Sequence, residues 1–365
     1  MEKEQITKKQ FISIIINFLL GSALVLGTGA GAKRDSWLAI LVGLACAILF
    51  VNIYARIVAL FPGYGLYEIL EILFGKLGGK IFALPFIWYG FHLGALVIRN
   101  FSEFIGIVTL PETPKLITAF FMSVLSIWAA KAGIETLGRW TAIILPVVLV
   151  SIFFVTTLFI PILDPNNIKP VMENGVRPLI QPGFSSFSFP FAETVLFMAL
   201  FGSLKNGNKP YKIYAWSLLI GGGIVVLVTL RSILALGDAN ISILFFSSYA
   251  SARLINIGDF LQRIEVLVVF VFMLSGFVKT TICLLVVCKG VAKVLNDGSY
   301  REIIAPIGLL MMMLSMFVYR NTNEMFEWAN KIYPYYAIPF QIIFPLIIWF
   351  AAEIKASSRN RKGKA

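Results

Sequence analysis

The sequence predicts an all-α polytopic membrane protein of about ten transmembrane helices, each with roughly the 20 apolar residues that cross a bilayer. Three observations predict this fold class: 58% of the 365 residues are hydrophobic, only 14% are charged, and long apolar runs recur along the whole chain with short polar breaks. A soluble core cannot hide that much apolar surface. We therefore expect a single transmembrane domain over residues 1–365, with a first half at about 11–161 and a second at about 184–352.

The apolar runs can be placed in order. The first follows a charged segment, residues 1–10, and is too long for a secretory signal, so we expect a retained first helix. The segment 65–80 is too polar to span and is typical of a short surface helix. The runs long enough to cross lie at about 11–32, 37–60, 81–109, 115–130, 140–161, 184–204, 211–236, 260–288, 303–319 and 334–352.

Two longer segments between the spans, 162–183 and 237–259, are rich in Pro, Gly, Asn and Ser, which favours turns. We expect the first to cover the outer face of the protein. The second has an apolar centre too short to cross the bilayer, so it predicts a short helix at the interface.

Lysine and arginine residues indicate the orientation. With the N-terminus in the cytoplasm, roughly nineteen of them fall on the inner side and about eight outside, the bias of the positive-inside rule. Both termini are then cytoplasmic. The net charge of +12 has this topological explanation, and the scatter of basic residues over loops argues against a nucleic-acid-binding protein. The aromatic residues before the last span are typical of an interface belt: Trp328, Tyr333, Tyr335 and Tyr336.

The sixth span contains "FSSFSFPFAETVLF", in which Pro190 and Glu193 interrupt a run otherwise suited to lipid. Proline lacks an amide hydrogen and crowds a preceding carbonyl, so the helix must break or kink there. Lipid cannot hydrate the freed carbonyls, which must face protein or a watery cavity. An ordinary kink with a hydrogen-bonded carboxylate is the alternative, but an ionisable residue at this depth indicates a functional site.

The first span contains a second candidate break at "GSALVLGTGAGAK", where glycines cluster between Gly21 and Gly31. Glycine costs about 1 kcal/mol in a helix relative to alanine, so the cluster is a weak point. Close helix packing through small residues is the alternative interpretation. The break is favoured by position, because paired interrupted helices at matching places in two halves indicate a transporter site near the midplane.

Other charges inside the spans need partners. Arg99 and Glu103 lie one helical turn apart on the third span and can pair, which we interpret as structural. Lys279 lies deep in the eighth span, where an unpaired charge is costly. It could pair with Glu193, stand where a coupling cation would bind, or stretch to the inner interface.

The single histidine, His92, is interpreted as a core residue. One histidine does not provide the clustered ligands of a metal hydrolase or the base of a His-assisted nucleophile. We therefore expect no enzyme activity, no metal site and no cofactor.

Four segments together resemble a known family: "ITKKQF" before the first helix, "FPGYGLYEILEILFGKLGGK" after the second, "FPFAE" in the sixth and "IPFQIIFPLIIWFAAEIK" at the end. They are similar to the B subunit of bacterial spore germinant receptors, over nearly the whole chain. This resemblance implies the amino acid–polyamine–organocation transporter fold, with a five-plus-five inverted repeat and broken first and sixth helices.

The resemblance also implies a function. The protein would sense a nutrient germinant, most simply an amino acid, in the spore inner membrane, and would signal to an A subunit and a lipoprotein C subunit. The implied site lies between the two breaks, and a proton-coupled symporter or exchanger of the same fold is the alternative. The residues expected at the site are Gly27, Thr28, Gly29, Ala30, Phe189, Pro190 and Glu193, with Lys279, Arg99 and Glu103 as coupling or structural charges.

Overall fold

A computed structural model describes residues 4–205, 209–241, 244–255, 263–296 and 299–362, and within them the regular structure is helical. The first helix begins at a capping box, in which Thr7 and Gln10 bond each other's backbone amides. The α-helices are α1 (Lys8–Leu26), α2 (Ser36–Leu60), α3 (Leu66–Val108), α4 (Lys115–Phe159), α5 (Arg177–Ser186), α6 (Pro210–Ile241), α7 (Ser247–Ala252), α8 (Glu265–Leu295), α9 (Ile304–Phe317), α10 (Thr322–Glu327), α11 (Tyr333–Ile338) and α12 (Phe344–Lys362).

Seven helical segments of the described chain are long and apolar enough to cross a membrane. One of them contains α4, whose 45 residues would measure about 68 Å if straight, twice a hydrocarbon core of about 30 Å. Gly133 divides α4 at a positive φ of 89°, a conformation that glycine adopts readily. Gly133 lies beside Glu4, near the N-terminus, whereas Lys115 at the start of α4 binds Glu103 at the far end of α3.

The chain therefore crosses twice within α4. With α1 and α9 added, the passes number about ten, as the apolar runs predict. The expected surface helix at 65–80 is present as the start of α3, which changes direction at Gly75, with φ 74°. The predicted start of the eighth span, at 260, lies outside the described residues, and α8 begins at Glu265.

Two passes are broken. After α1, Gly27 and Gly29 adopt positive φ angles of 69° and 73°, and a short 3-10 helix, Ala30–Asp35, leads into α2. In the sixth pass, α5 ends in an irregular turn, Phe187–Phe191, and the chain continues as a 3-10 helix, Ala192–Ser203. The structure thus has the broken first and sixth helices of the predicted fold.

The broken passes and α8 form the centre of the molecule. Nearly all of the sixth pass is buried, whereas most of α4 is not, and α8 packs against α1, α3 and α4. The outer surface carries large apolar side chains such as Phe121, Trp128 and Phe153, which suits contact with lipid. The ionisable residues of the interior are therefore surrounded by protein.

The two segments expected on the outer side are partly helical. Two short 3-10 turns, Ile160–Ile162 and Pro165–Ile168, precede α5, which already starts at Arg177. The interfacial helix predicted within 237–259 corresponds to α7, while 242–243 and 256–259 lie outside the described residues.

Candidate functional site

The break in the sixth pass is bridged by a glutamine of the last pass. The backbone leaves helical geometry at Phe189, with φ −129° and ψ 116°, directly before Pro190. There, the Ser188 carbonyl accepts a hydrogen bond from Gln341 Nε2 at 2.8 Å, and the Ser188 hydroxyl donates to Gln341 Oε1 at 2.9 Å. Buried Gln341 therefore supplies the hydrogen bonds that lipid cannot.

Just beyond the break, Glu193 forms a buried ion pair with Lys279 of α8. Lys279 Nζ donates to Glu193 Oε2 at 2.5 Å, and both side chains are fully buried. The same ammonium lies 4.9 Å from the centre of the Phe18 ring and 5.0 Å from that of Phe189, and aromatic faces attract cations. The pair thus joins the first, sixth and eighth passes at one point.

A chain of hydroxyl groups reaches the other oxygen of this carboxylate. Tyr333 donates to Glu193 Oε1 at 2.6 Å, and its oxygen lies 2.8 Å from that of Tyr89. Gln341 Nε2, which can only donate, bonds the Tyr89 oxygen at 2.8 Å. Tyr89 therefore donates to Tyr333, and all donors in the chain point toward Glu193.

Glu193 and Lys279 border a small cavity of about 20 Å³. That volume has room for about one water molecule. Three polar atoms of its lining have no hydrogen-bond partner among the described residues: Ser22 Oγ, Asn100 Oδ1 and Trp328 Nε1. Because buried polar groups are nearly always hydrogen-bonded, these three atoms suit a polar guest.

The predicted ligand-binding residues lie in two groups. Phe189 and Glu193 line the cavity, and Pro190 lies at the break behind them. The stretch Gly27 to Ala30 lies beyond the end of α1, which with 19 residues is about 28 Å long. It adjoins the sixth pass, since a Cβ on Gly29 would lie 3.1 Å from Ser186 Oγ. The binding roles of both groups stay predictions.

The pair formed by Arg99 and Glu103 belongs to a separate cluster. Arg99 Nε donates to Glu103 Oε1 at 2.9 Å, and Lys115 Nζ and Thr322 Oγ1 each donate to the same carboxylate at 2.7 Å. This cluster connects α3 to α4 and α10, so its geometry suits a structural role for Arg99 and Glu103.

Much of the polar network was not predicted from the sequence. The prediction that Tyr333 lies in an interface belt is wrong, because Tyr333 is only 3% exposed and bonds Glu193. Gln341 and Tyr89 were not singled out. Tyr333, Ala337 and Gln341 recur at a spacing of one helical turn, and a glutamine on such an apolar face is the signal that could have found them.

The comparisons with known proteins agree with this architecture, which defines a multi-pass membrane protein with a transporter fold. The family model described as "Spore germination protein" matches residues 5–325. The chain belongs to this family of spore germination proteins. It is 28% identical to spore germination protein KB of Bacillus subtilis (strain 168), over 99% of this chain and 98% of that protein. It is also 20% identical to spore germination protein XB of Bacillus anthracis, over 88% of this chain and 90% of that protein.

Two solved structures share the fold. The nucleobase-cation-symport-1 family transporter Mhp1, in a closed conformation with bromovinylhydantoin bound, has a TM-score of 0.68 and 11% identity, over 94% of this chain and 78% of that one. MhsT in complex with L-phenylalanine has a TM-score of 0.70 and 10% identity, over 95% of this chain and 89% of that one. At 11% and 10% identity, these two likenesses show the shared fold alone.

Proposed function

We propose that the protein is the nutrient-sensing subunit of a spore germinant receptor, and that a small germinant, most simply an amino acid, binds at the Glu193–Lys279 cavity. The observation that supports this site is a buried pair of opposite charges at the break of the sixth pass, beside three polar atoms that have no partner in the described part of the chain. No catalytic role is assigned to any residue.

The charges suit a zwitterion. An amino acid entering between Glu193 and Lys279 would place its ammonium on the carboxylate and its own carboxylate on the lysine, so each buried charge would exchange one partner for another. The amides from Gly27 to Ala30 are the second candidate for the carboxylate, because exposed amides bind anions. Phe189 would pack against the side chain of the ligand.

Binding would require the site to open. The cavity of about 20 Å³ is the size of one water, so an amino acid fits only if the sixth pass and its neighbours move apart. A ligand favours the open state only by the difference between its affinities for the two states. Entry of the nutrient would therefore itself be the conformational signal.

The energies indicate a need for partners. Shifting the equilibrium between the closed and open states from 1:99 to 99:1 takes about 5.5 kcal/mol of differential affinity. A nutrient that binds with millimolar affinity has a total binding free energy of only about 4 kcal/mol. We therefore propose that an A subunit and a lipoprotein C subunit share the switch. Localisation to the spore inner membrane, with both termini cytoplasmic, belongs to the same proposal.

The orientation has structural support. Glu4, near the N-terminus, pairs with Arg301, and Lys355, near the C-terminus, bonds the Ile72 carbonyl. Both positions belong to connections on the side that is rich in lysine and arginine. These contacts support the proposal that both termini are cytoplasmic.

The test is nutrient binding and germination in spores whose only receptor contains this subunit. We expect Glu193→Gln and Pro190→Ala to weaken the response at equal protein levels, because the first removes the charge facing the ammonium and the second restores a helical amide. Glu135→Gln, in an exposed pair with Arg139, is the matched control. If both site variants responded like wild type, the nutrient-binding site would not lie in the sixth pass.

A symporter or exchanger of the same fold is the second candidate. It is favoured by the buried carboxylate–lysine pair, because ionisable residues at this depth commonly relay protons. Uptake of radiolabelled amino acid into proteoliposomes, with and without a pH gradient, separates the two functions. Gradient-driven accumulation would favour transport, and binding without accumulation would favour sensing.

A further inference from the structure

Arg231 of α6 is a buried cation that has no carboxylate partner among the described residues. Among the described residues five charged side chains are buried, and the other four form the pairs Lys279–Glu193 and Arg99–Glu103. Arg231 is 4% exposed, and within the described part of the chain it donates to two neutral hydroxyls, Thr156 Oγ1 at 3.2 Å and Ser248 Oγ at 3.4 Å. Its Nε atom has no partner among the described residues. A buried, uncompensated charge is unfavourable, so an anion beside Arg231 would stabilise the folded protein.

The guanidinium lines a second cavity, distinct from that of Glu193. Its volume is about 20 Å³, and its polar lining consists of Arg231, Ser248 and Ser151 among aliphatic side chains. The positive carbon of the guanidinium also lies 4.3 Å from the centre of the Phe159 ring. This volume holds about one water-sized particle, so it admits a monatomic anion and excludes an amino acid or phosphate.

We propose that this cavity is a chloride site. The ion would receive N–H groups of Arg231 and the hydroxyls of Ser248 and Ser151, and its charge would compensate the guanidinium. A water molecule could satisfy the hydrogen bonds but would leave the charge uncompensated. Chloride is the common anion whose size and charge both match the cavity.

The position of the site suggests what chloride would stabilise. Its lining comes from α4, α6, α7 and α8, and includes Leu24 of α1. Beside it, a Cβ on Gly27 would lie 3.7 Å from Ser247 Oγ of α7, so the site adjoins the first break. Bound chloride would therefore hold α7 and the outer ends of these passes together.

The experiment measures the thermal unfolding midpoint of the purified full-length protein in detergent, with sodium chloride replacing sodium gluconate at constant ionic strength. We expect the wild-type midpoint to rise and saturate with chloride. Arg231→Gln should abolish this rise and, without chloride, should be at least as stable as wild type because the uncompensated charge is gone. Arg139→Gln, which alters an exposed arginine, should keep the wild-type response.

Ser248→Ala provides a second variant if Arg231→Gln does not fold. It should raise the chloride concentration at half-saturation about tenfold, the loss expected for one hydrogen bond to a charged group. Crystals grown with bromide should show an anomalous peak beside Arg231. The site is excluded if wild type does not respond to chloride, if both variants respond like wild type, or if bromide is absent from the cavity.

Discussion

Gly21 of α1 lies directly against Lys279 of α8. A Cβ atom on Gly21 would be 3.0 Å from the Lys279 Cβ and 2.8 Å from the Ser275 carbonyl oxygen. The two helices therefore meet at the level of the buried ion pair only because position 21 has no side chain. One of the glycines that suggested a break in the first span serves instead for close packing, which was the alternative interpretation.

We expect Gly21→Ala to destabilise the protein by about 1 to 3 kcal/mol, the usual cost of overpacking a filled core. The added methyl group would press on a backbone oxygen of α8, so the helices would have to separate. The measurement is the thermal unfolding midpoint in detergent. Gly223→Ala is the control, because a Cβ there meets nothing within 4 Å and alanine favours a helix. Equal midpoints for the two variants would contradict the close approach.

The Glu193–Lys279 pair predicts strong coupling between two substitutions. Lys279→Met leaves a buried carboxylate without its cation, which costs about 3 to 5 kcal/mol. Adding Glu193→Gln removes that charge, so the double variant should regain stability relative to Lys279→Met. The thermal unfolding midpoints of wild type, the two single variants and the double variant give the interaction energy between the two side chains.

The exposed pair Lys331–Glu327 is the control for this cycle, since such surface pairs contribute about 0 to 1 kcal/mol. Lys331→Met and Glu327→Gln should therefore act independently. If the substitutions at 193 and 279 were also simply additive, the buried pair would not be an energetic unit.

Tyr333→Phe tests the hydroxyl chain. The variant deprives both Glu193 Oε1 and the Tyr89 hydroxyl of a partner, and unsatisfied buried groups cost about 1 to 3 kcal/mol. We expect a lower thermal midpoint and a weaker nutrient response. Tyr335→Phe, at a side chain that is 58% exposed, should leave both unchanged. Identical behaviour of the two variants would argue that the hydroxyl chain has no energetic role.

The breaks were predictable because they depend on local chemistry. Proline cannot donate to a helix, and clustered glycines favour positive φ, so Pro190 and the Gly27–Gly29 stretch indicate interruptions without any knowledge of neighbours. The number of passes likewise follows from the length of apolar runs. Lys279 and Glu193 could be named because each is costly alone inside a membrane.

The pairing of Lys279 with Glu193 was one of the expected alternatives, but the hydroxyl partners of that pair were not predictable. In "YPYYAIPFQ", three tyrosines look alike, and only the packing of the last pass on α3 and the sixth pass turns Tyr333 inward and Tyr335 outward. The orphan atoms of Ser22 and Asn100 lie on different passes, so no sequence spacing relates them. Arg231 lies near the end of an apolar run, from which a long side chain could reach water, and only the tertiary structure buries it.

The contacts of Glu4, near the N-terminus, give a prediction about pH. Glu4 accepts hydrogen bonds from Tyr300 at 2.7 Å and Arg301 at 2.8 Å, and the adjoining backbone of Ile6 bonds Ser203 and Lys205. Burial acts to raise the pKa of Glu4, but these hydrogen bonds and the charges of Lys289 and Arg301 outweigh it and lower the pKa below its usual 4.5. The N-terminal segment is thereby attached to the inner ends of the central passes.

A carboxyl group whose pKa is lowered by folding contributes stability that is fully present above its unfolded pKa and is lost as pH falls through the lower, folded value. As pH falls below about 4.5, the thermal unfolding midpoint of wild type should therefore fall more steeply than that of Glu4→Gln. Above that pH, the difference between the midpoints of wild type and Glu4→Gln should stay constant. Arg301→Gln removes one cause of the lowered pKa, so the pKa of Glu4 in the folded protein should lie closer to its unfolded value. The pH range over which Glu4 makes the thermal midpoint fall should therefore be narrower. Parallel profiles for wild type and Glu4→Gln throughout the acid range would mean that the Glu4 contacts do not stabilise the folded protein.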